Sequence, residues 1–280
     1  MEKSDLKKFD QAIEANASLE PILAFYRAIV KEQIKVYGKQ QAAKELPDQT
    51  EVDKLLRQGR PINSQWPVSV NYEQMKALFL KLGEILSEHR PEKNNDIKKI
   101  TAKDWDFENL AQIFASDNLS PIIKEAEEEQ VDPSLLAFLI VNALRPFYAF
   151  QAQAVIGLVK DEEWQRPHCP VCGQRGEMAV LQGDGGKRYL YCPTCDVTWK
   201  YLRLECPYCD ADHEKLRYLE VEDSLYRLDV CENCQGYIKT LDAQELASVP
   251  NLFLEDLLTM HLDLLAEKEG YTKDPSVIKQ

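Results

Sequence analysis

The sequence predicts an α + small β protein, with an N-terminal helical bundle, two small metal-binding β modules and a C-terminal helix. Apolar residues recur at helical spacing through the first 163 residues. All eight cysteines lie between Cys169 and Cys234, among short β-type runs. The predicted domains are 1–163 for the helical domain, 164–204 and 205–242 for the two four-cysteine ribbons, and 243–280 for the C-terminal helix and tail.

Amphipathic segments separated by prolines predict the helical domain. The clearest one opens at Ser18, carries Pro21 in its first turn and stops at Gly38. Asp5 can cap a shorter helix before it, and residues 39–70 predict a short helix followed by irregular chain. Further helices are predicted over 72–89, 106–115, 120–129, 132–144 and 147–160. The segment 132–144 is almost wholly apolar, so we expect it at the centre of the bundle.

Residues 166–242 read as short strands broken by Gly, Pro and Cys-x-x-Cys turns. The clearest runs are 189–191, 197–204 and 216–221. They are too few to bury a core, and units of about 40 residues usually need a metal or disulfides for stability. A helical pattern resumes over 243–268, with a break at Pro250 and Gly270 as its C-terminal stop.

Composition excludes several classes of protein. Hydrophobic residues make up 44% and charged residues 29% of the 280, which is typical of a folded globular chain. The longest apolar run, 135–143, is too short to span a bilayer, and the N-terminus lacks the apolar segment of a secretory signal. We therefore expect a cytoplasmic protein without membrane insertion. A net charge of -13 argues against binding to a nucleic-acid backbone.

The cysteines form four Cys-x-x-Cys turns, at Cys169/Cys172, Cys192/Cys195, Cys206/Cys209 and Cys231/Cys234, separated by 19, 10 and 21 residues. Each turn places two thiolates on one side of a tight loop, and a hairpin of roughly 15 to 20 residues can bring two turns together. The first and third gaps fit such a hairpin. The spacing therefore favours one site from the first two turns and another from the last two, and a cross-brace pairing of first with third turn stays open.

Sulfur-only tetrahedral sites suit zinc or iron, and the cysteine pattern does not separate these metals. Four thiolates fill a tetrahedral metal and leave no position for water or substrate, which favours a structural or binding role over catalysis. No Gly-rich phosphate loop and no Ser/His/Asp grouping stands out in the sequence. We predict two metal ions per chain and no enzymatic activity.

The residues around these turns resemble the FdhE family of formate dehydrogenase accessory proteins. The resemblance is most specific over 164–237 and looser over the rest of the chain. The matching motifs are His168-Cys-Pro-Val-Cys-Gly173, Arg188-Tyr-Leu-Tyr-Cys192, Thr198-Trp199, Cys231-Glu-Asn-Cys234, Tyr237-Ile-Lys239, Glu255-Asp-Leu and His261-Leu-Asp263, with Gly59-Arg-Pro61, Asp132-Pro133 and Leu144-Arg-Pro-Phe147 upstream. Asp196, Asp210 and Gln235 depart from the glycine that favours such turns.

The resemblance implies a helical domain followed by two rubredoxin-like ribbons that bind iron, with zinc as the alternative metal. It also implies a maturation factor that binds the catalytic subunit of a molybdenum- or tungsten-dependent formate dehydrogenase in the cytoplasm before export. The sequence leaves a homo-oligomer open. We expect the partner-binding surface to include basic and aromatic residues of the first ribbon, since such side chains often anchor interfaces: Arg188, Tyr189, Trp199, Lys200 and Arg203.

Two other functions are compatible with ribbons of this kind. A zinc-ribbon module could bind nucleic acid, but the second ribbon is acidic, with Asp210, Asp212, Glu214, Glu220, Glu222, Asp223 and Asp229. A dithiol oxidoreductase or redox chaperone would use exposed, metal-free Cys-x-x-Cys thiols, yet no βαβ pattern surrounds any of the four turns.

Overall fold

The computed structural model describes residues 1–41, 46–116, 118–221 and 224–273. Its contacts divide the chain into two compact units, one of Met1–Leu46 with Trp66–Ala154 and one of Pro47–Gln65 with Val155–Gln280. The segment 47–65 thus folds with the cysteine region rather than with the helices that flank it in sequence. Glu222, Asp223 and the predicted tail after residue 273 lie outside the described residues.

The helices lie close to their predicted positions, with one additional helix. In chain order they are α1 (Lys3–Ala15), α2 (Glu20–Tyr37), α3 (Gln49–Arg57), α4 (Tyr72–His89), α5 (Asn94–Ala102), α6 (Phe107–Ala115), α7 (Ser120–Glu128), α8 (Pro133–Val155), α9 (Leu252–Leu258) and α10 (Met260–Lys268). Local capping sets several of the boundaries. Asn71 accepts from the Gln74 backbone N–H at 3.0 Å at the start of α4, and Asp106 accepts from Asn109 at 2.9 Å at the start of α6.

The central helix α8 is longer than predicted. The sequence suggested separate helices over 132–144 and 147–160, because Pro146 removes a backbone donor and clashes with the preceding turn. The structure has one helix of 23 residues with Pro146 inside it. Burial offsets this cost, since the flanking Leu144 and Phe147 are both almost completely buried. The prediction of a helix break was therefore wrong.

By length and composition alone, the helix Pro133–Leu158 could cross a membrane. However, 72% of its apolar window is buried inside the protein, as expected for the core helix of a bundle. Its polar residues also have partners inside the unit. Gln33 of α2 donates to the Asn142 backbone carbonyl at 2.9 Å, and Arg145 donates to the Gln33 side-chain oxygen at 3.2 Å. These contacts satisfy polar groups that would otherwise be buried without partners.

The second unit is built on one six-stranded sheet. Its strands are β1 (Met178–Gln182), β2 (Lys187–Cys192), β3 (Val197–Lys200), β4 (Leu216–Glu220), β5 (Tyr226–Cys231) and β6 (Tyr237–Asp242). The order is β3-β2-β1-β6-β5-β4, and only the central pair, β1 with β6, is parallel. The two predicted ribbons are therefore the two halves of a continuous sheet, which gives their short strands a shared core.

The C-terminal helical segment starts later than the sequence suggested. Strand β6 continues to Asp242, and the first helix after it begins at Leu252. Asn251 caps that helix by accepting from the Leu254 backbone N–H at 3.0 Å, and Pro250 directly precedes the cap. Leu262 and Ala266 of α10 pack with Leu228 of β5, so this helix completes the core over one face of the sheet.

Candidate metal centres

The structure gathers the eight cysteines into two groups of four. One group holds Cys169, Cys172, Cys192 and Cys195, and the other holds Cys206, Cys209, Cys231 and Cys234. Within each group the four sulfurs all lie within 4.8 Å of one another. This is the sequential grouping favoured by the spacing, not the cross-brace.

Distances between sulfurs fit a tetrahedral metal. Cys172 and Cys192 have their Sγ atoms 3.6 Å apart, and in the second group two pairs of Sγ atoms lie 3.7 Å apart. A metal bonded to four sulfurs at about 2.3 Å separates each pair by about 3.8 Å. A disulfide would need about 2.05 Å. Each group could therefore hold one ion, which would polarise its thiolates and tie the strands together.

Each Cys-x-x-Cys turn closes in the same way. The residue after its second cysteine donates its backbone N–H to the carbonyl of the first cysteine, as Gly173 does to Cys169 at 2.9 Å. That residue has a positive φ in all four turns, at Gly173, Asp196, Asp210 and Gln235. Only Gly173 is the glycine that this backbone region favours. The departures noted in the sequence thus fold into the same turn, with backbone strain at three positions.

This strain makes a prediction at Gln235, whose φ is 58°. Gln235→Gly should stabilise the protein by about 0.5–1 kcal/mol. Relief of the left-handed strain exceeds both the added chain entropy of glycine and the loss of the exposed hydrogen bond of 2.9 Å from the Gln235 amide to the Glu232 carbonyl. The matched variant Asp196→Gly should gain less, since it loses the hydrogen bond of 2.7 Å that Asp196 accepts from the Tyr191 hydroxyl. Urea unfolding of the metal-loaded variants measures both changes. Equal gains in stability from the two variants would contradict a stabilising role of the Tyr191–Asp196 hydrogen bond.

Hydrogen bonds and burial set the thiol pKa values in the second group. Burial raises the pKa of Cys209, but hydrogen bonds from the Asn233 amide and the Ala211 backbone N–H outweigh it and lower that pKa to about 7. Burial raises the pKa of Cys234 to about 11. Without a cation, the four thiols therefore do not ionise together near neutral pH. Metal binding must displace protons, so the affinity for metal should fall as the pH falls.

A segment far away in sequence supports the first turn. The backbone N–H groups of Ile62 and Asn63 donate to the carbonyls of Pro170 and Val171, each at 2.8 Å. These bonds fix the two residues between Cys169 and Cys172. The sequence predicts only a short helix and irregular chain over residues 39–70, because hydrogen bonds over such a separation leave no local periodic signal.

Glycine is favoured where this segment turns toward the first site. Gly59 has φ +73°, and a Cβ atom there would lie 2.5 Å from the guanidinium of Arg166. Two residues later, Pro61 lies 3.3 Å from the position of a Cβ on Gly173. The signal for this contact was in the sequence, in the Gly59-Arg-Pro61 motif, but the motif alone did not show what the glycine approaches.

Comparisons with known proteins match the cysteine region. The family model "FdhE, central domain" matches residues 168–203, and "FdhE, C-terminal domain" matches residues 204–277. Residues 168–277 therefore consist of the two FdhE domains. The chain's relatives include the "Protein FdhE homolog" of Aquifex aeolicus, 28% identical over 59% of this chain and 59% of the relative. The "Protein FdhE" of Salmonella paratyphi A is 29% identical over 69% of this chain and 62% of the relative.

The alignments span less than two thirds of the length of these FdhE relatives. A solved structure extends the likeness of fold over most of the chain. The crystal structure of the FdhE protein from Pseudomonas aeruginosa matches with a TM-score of 0.64 and 20% sequence identity, covering 95% of this chain and 90% of that one. The helical region followed by a sheet with two four-cysteine groups is thus an FdhE fold.

Several FdhE motif residues meet in one polar network in the second unit. Lys239 of β6 is completely buried, and its Nζ forms ion pairs of 2.8 Å with Asp256 and 2.7 Å with Asp263. The Tyr237 hydroxyl also donates to Asp263, at 2.8 Å. Burial and the adjacent Asp263 carboxylate raise the pKa of Tyr237, so this hydroxyl stays a donor. The network fastens helices α9 and α10 to the sheet.

Removal of the buried ammonium should be costly. Lys239→Ala should destabilise the protein by about 3 kcal/mol, because Asp256 and Asp263 lose their completely buried cation and keep only Lys273, at 3.4 and 3.9 Å. Lys273 lies 3.4 Å from Asp256 but is about one third exposed, so Lys273→Ala serves as the control and should cost less than about 1 kcal/mol. Urea unfolding followed by fluorescence compares them. Similar losses in both variants would contradict the importance of the buried pair.

The structure does not bring the five predicted partner-binding residues to one surface. Arg188 is 2% exposed and Trp199 is 3% exposed. The Trp199 indole donates to the Arg166 carbonyl at 2.9 Å, and the Arg188 guanidinium donates to carbonyls of the loop after β3. Both residues pack within the FdhE fold, so we withdraw them from the predicted surface. In β3, Trp199 shares its buried face with Val197, and this alternation was visible in the sequence.

The other three predicted residues are more accessible. The Tyr189 hydroxyl donates to Asp161 at 3.3 Å, and the Lys200 Nζ lies 3.9 Å from the same carboxylate. Arg203 is exposed and donates to the Gly185 carbonyl at 2.7 Å. A role of Tyr189, Lys200 and Arg203 in binding a partner stays a prediction.

Proposed function

We propose that this protein is a metal-binding accessory factor that makes formate dehydrogenase competent and is not itself an enzyme. In this proposal it binds the catalytic subunit of a molybdenum- or tungsten-dependent formate dehydrogenase in the cytoplasm, before export. The observation that carries the proposal is the pair of four-cysteine groups within the segments that match the FdhE domains. A metal with four sulfur ligands has no open position for a substrate, which supports a binding role.

We propose iron as the resident metal, with one ion in each four-cysteine group and zinc as the alternative. The sulfur separations of 3.6 and 3.7 Å support a single tetrahedral ion in each group. They do not favour either metal, so the preference for iron rests on the family resemblance. Metal analysis of protein purified without oxygen, combined with absorption spectroscopy, distinguishes ferric tetrathiolate from colourless zinc.

The functional test is deletion of the gene in its host followed by measurement of formate dehydrogenase activity. We expect activity to fall in the deletion strain and to return with the wild-type gene. Unchanged activity after deletion would remove the proposal.

Complementation then tests the partner surface. A Lys200→Ala/Arg203→Ala variant should restore less activity than wild type, whereas Lys54→Ala/Lys268→Ala, which removes the same charge at exposed positions, should restore it fully. Arg188 is left unchanged in both variants, because substitution of this buried residue would mix a loss of folding with a loss of binding. Full activity with the first variant would remove only the proposed surface.

Two alternatives predict different results in solution. A redox chaperone would need reactive thiols, whereas a tetrathiolate metal centre protects them. Titration of native protein with a thiol reagent should therefore detect few thiols until a chelator is added. The net charge of -13 disfavours nucleic-acid binding, and a salt-dependent gel shift would be needed to support it.

A further inference from the structure

A cationic cleft lies on the second unit, outside the four-cysteine groups. It has a volume of about 250 Å³ and is lined by four arginines, Arg188, Arg203, Arg217 and Arg227. His213 also lines it, and Asp229 is the single carboxylate among the described residues of its lining. In a protein with a net charge of -13, such a concentration of guanidinium groups is a marked local reversal of charge.

The single carboxylate does not neutralise these cations. Asp229 accepts from the Arg227 Nε at 2.7 Å and from the Thr240 hydroxyl at 2.9 Å, so it already serves one arginine. Among the described residues, Arg217 pairs with the Glu232 carboxylate at 3.5 Å, and it also donates to the backbone carbonyls of Glu214 and Leu216. Within the described part of the chain, Arg188 and Arg203 form no ion pair. The cleft therefore retains excess positive charge.

Besides the excess positive charge of the cleft, the buried Arg188 side chain is a second, independent indication of a ligand. Arg188 is only 2% exposed, and its Nε has no hydrogen-bond partner among the described residues. One of its terminal nitrogens donates to the carbonyls of Leu202 and Glu205, but these dipoles supply no net negative charge. Asp229 and the Tyr201 ring, whose centroid lies 5.0 Å from the guanidinium carbon, favour the Arg188 cation but do not bond its Nε. A bound anion would further reduce the cost of burying this charge.

We propose that this cleft binds a phosphate group, either as free phosphate or as a phosphate monoester. The four guanidinium groups come from β2, the loop after β3, β4 and β5, so they approach the cleft from several directions. Such an arrangement suits a compact, doubly charged oxyanion better than a planar carboxylate with one charge. Guanidinium groups bind phosphate oxygens through paired, charge-assisted hydrogen bonds.

The rim of the cleft suits the organic part of an ester. Tyr218 is 58% exposed and lies under the Arg227 guanidinium, whose central carbon is 5.1 Å from the ring centroid. Leu204 is 61% exposed at the same cleft. The volume of about 250 Å³ is below the roughly 300–1,000 Å³ of pockets for drug-sized ligands, which favours a small monoester over a dinucleotide.

Isothermal titration of the full, metal-loaded protein tests the proposal with two probes, inorganic phosphate and adenosine monophosphate. We expect saturable binding of one equivalent of phosphate per chain. The Arg203→Gln/Arg217→Gln variant should bind about tenfold more weakly, since it loses two charged donors. Both side chains are exposed, so the variant should fold. Tighter binding of the nucleotide than of phosphate would identify an ester as the preferred source.

The control is Lys54→Gln/Lys268→Gln, which removes the same charge at exposed positions that do not line the cleft and should bind phosphate like wild type. An equal loss in the control would show a general charge effect and overturn the proposal. Absence of saturable binding to either probe would also overturn it. A glutamate-rich peptide that binds where phosphate does not would assign the cleft to protein carboxylates and reject the phosphate site.

Discussion

Chelation of both metals is expected to unfold the cysteine region and leave the helical unit folded. Metal binding contributes about 10–16 kcal/mol to folding in small zinc modules, which equals or exceeds the stability of an ordinary domain. The described helices of the first unit instead share a core that includes Leu23, Phe79 and Leu139, with no cysteine among their residues. Hydrogen exchange measured by mass spectrometry should show lost protection in β1–β6 and retained protection in α2, α4 and α8.

Addition of metal after removal of the chelator should restore protection of the sheet. A chelator that cannot bind the metal tightly serves as the control for solvent effects. Far-ultraviolet circular dichroism gives an independent readout, because helical signal should persist in the metal-free protein. Complete collapse of that signal to coil would refute independent folding of the helical unit.

Removal of one cysteine pair should abolish one metal site and preserve the other. Cys169→Ala/Cys172→Ala deletes two of the four sulfurs that lie within 4.8 Å in the first group. The matched variant Cys206→Ala/Cys209→Ala does the same in the second group. Each should retain about one ion per chain, because a tetrahedral site cannot form from two cysteines alone. Loss of both ions, or of neither, in either variant would contradict two separate sites.

The first cysteine variant carries a further expectation. Its loss of order should extend to the segment 59–63, since Ile62 and Asn63 bond to the backbone between the two cysteines. The second variant should leave this segment protected. Hydrogen exchange of these amides distinguishes the two outcomes and reports on the first site without dependence on metal analysis.

The sequence could predict the features that depend on local spacing. Helix α4 has its predicted bounds because Asn71 caps one end and Pro91 follows the other. The cysteine groups follow from gaps of 19 and 21 residues, which are hairpin lengths. These signals lie within about two dozen residues of the atoms that they position, and a single sequence is sufficient to read them.

Features set by distant contacts could not be predicted. Strands β1 and β6 pair in parallel and join two ribbons that the sequence predicts as separate units, and no local pattern indicates this pairing. Burial in the folded protein determines two other features that the sequence did not predict, the continuity of α8 and the interior position of Arg188. The core around α8 accommodates Pro146, and the interior position of Arg188 depends on a loop that covers the sheet. A basic residue beside a metal turn looks like a surface residue until the covering loop is known.

The bonds from Ile62 and Asn63 to the first metal turn also constrain the order of events during synthesis. Residues 62 and 170 are 108 positions apart in sequence. The ribosome therefore synthesises the segment 47–65 well before the residues to which Ile62 and Asn63 bond. In that interval the segment lacks the two backbone hydrogen bonds to Pro170 and Val171. Contacts between residues so far apart in sequence form slowly. We therefore expect the first metal turn to reach its final hydrogen-bonded form late in the folding of the second unit, and not before Cys172 has been synthesised.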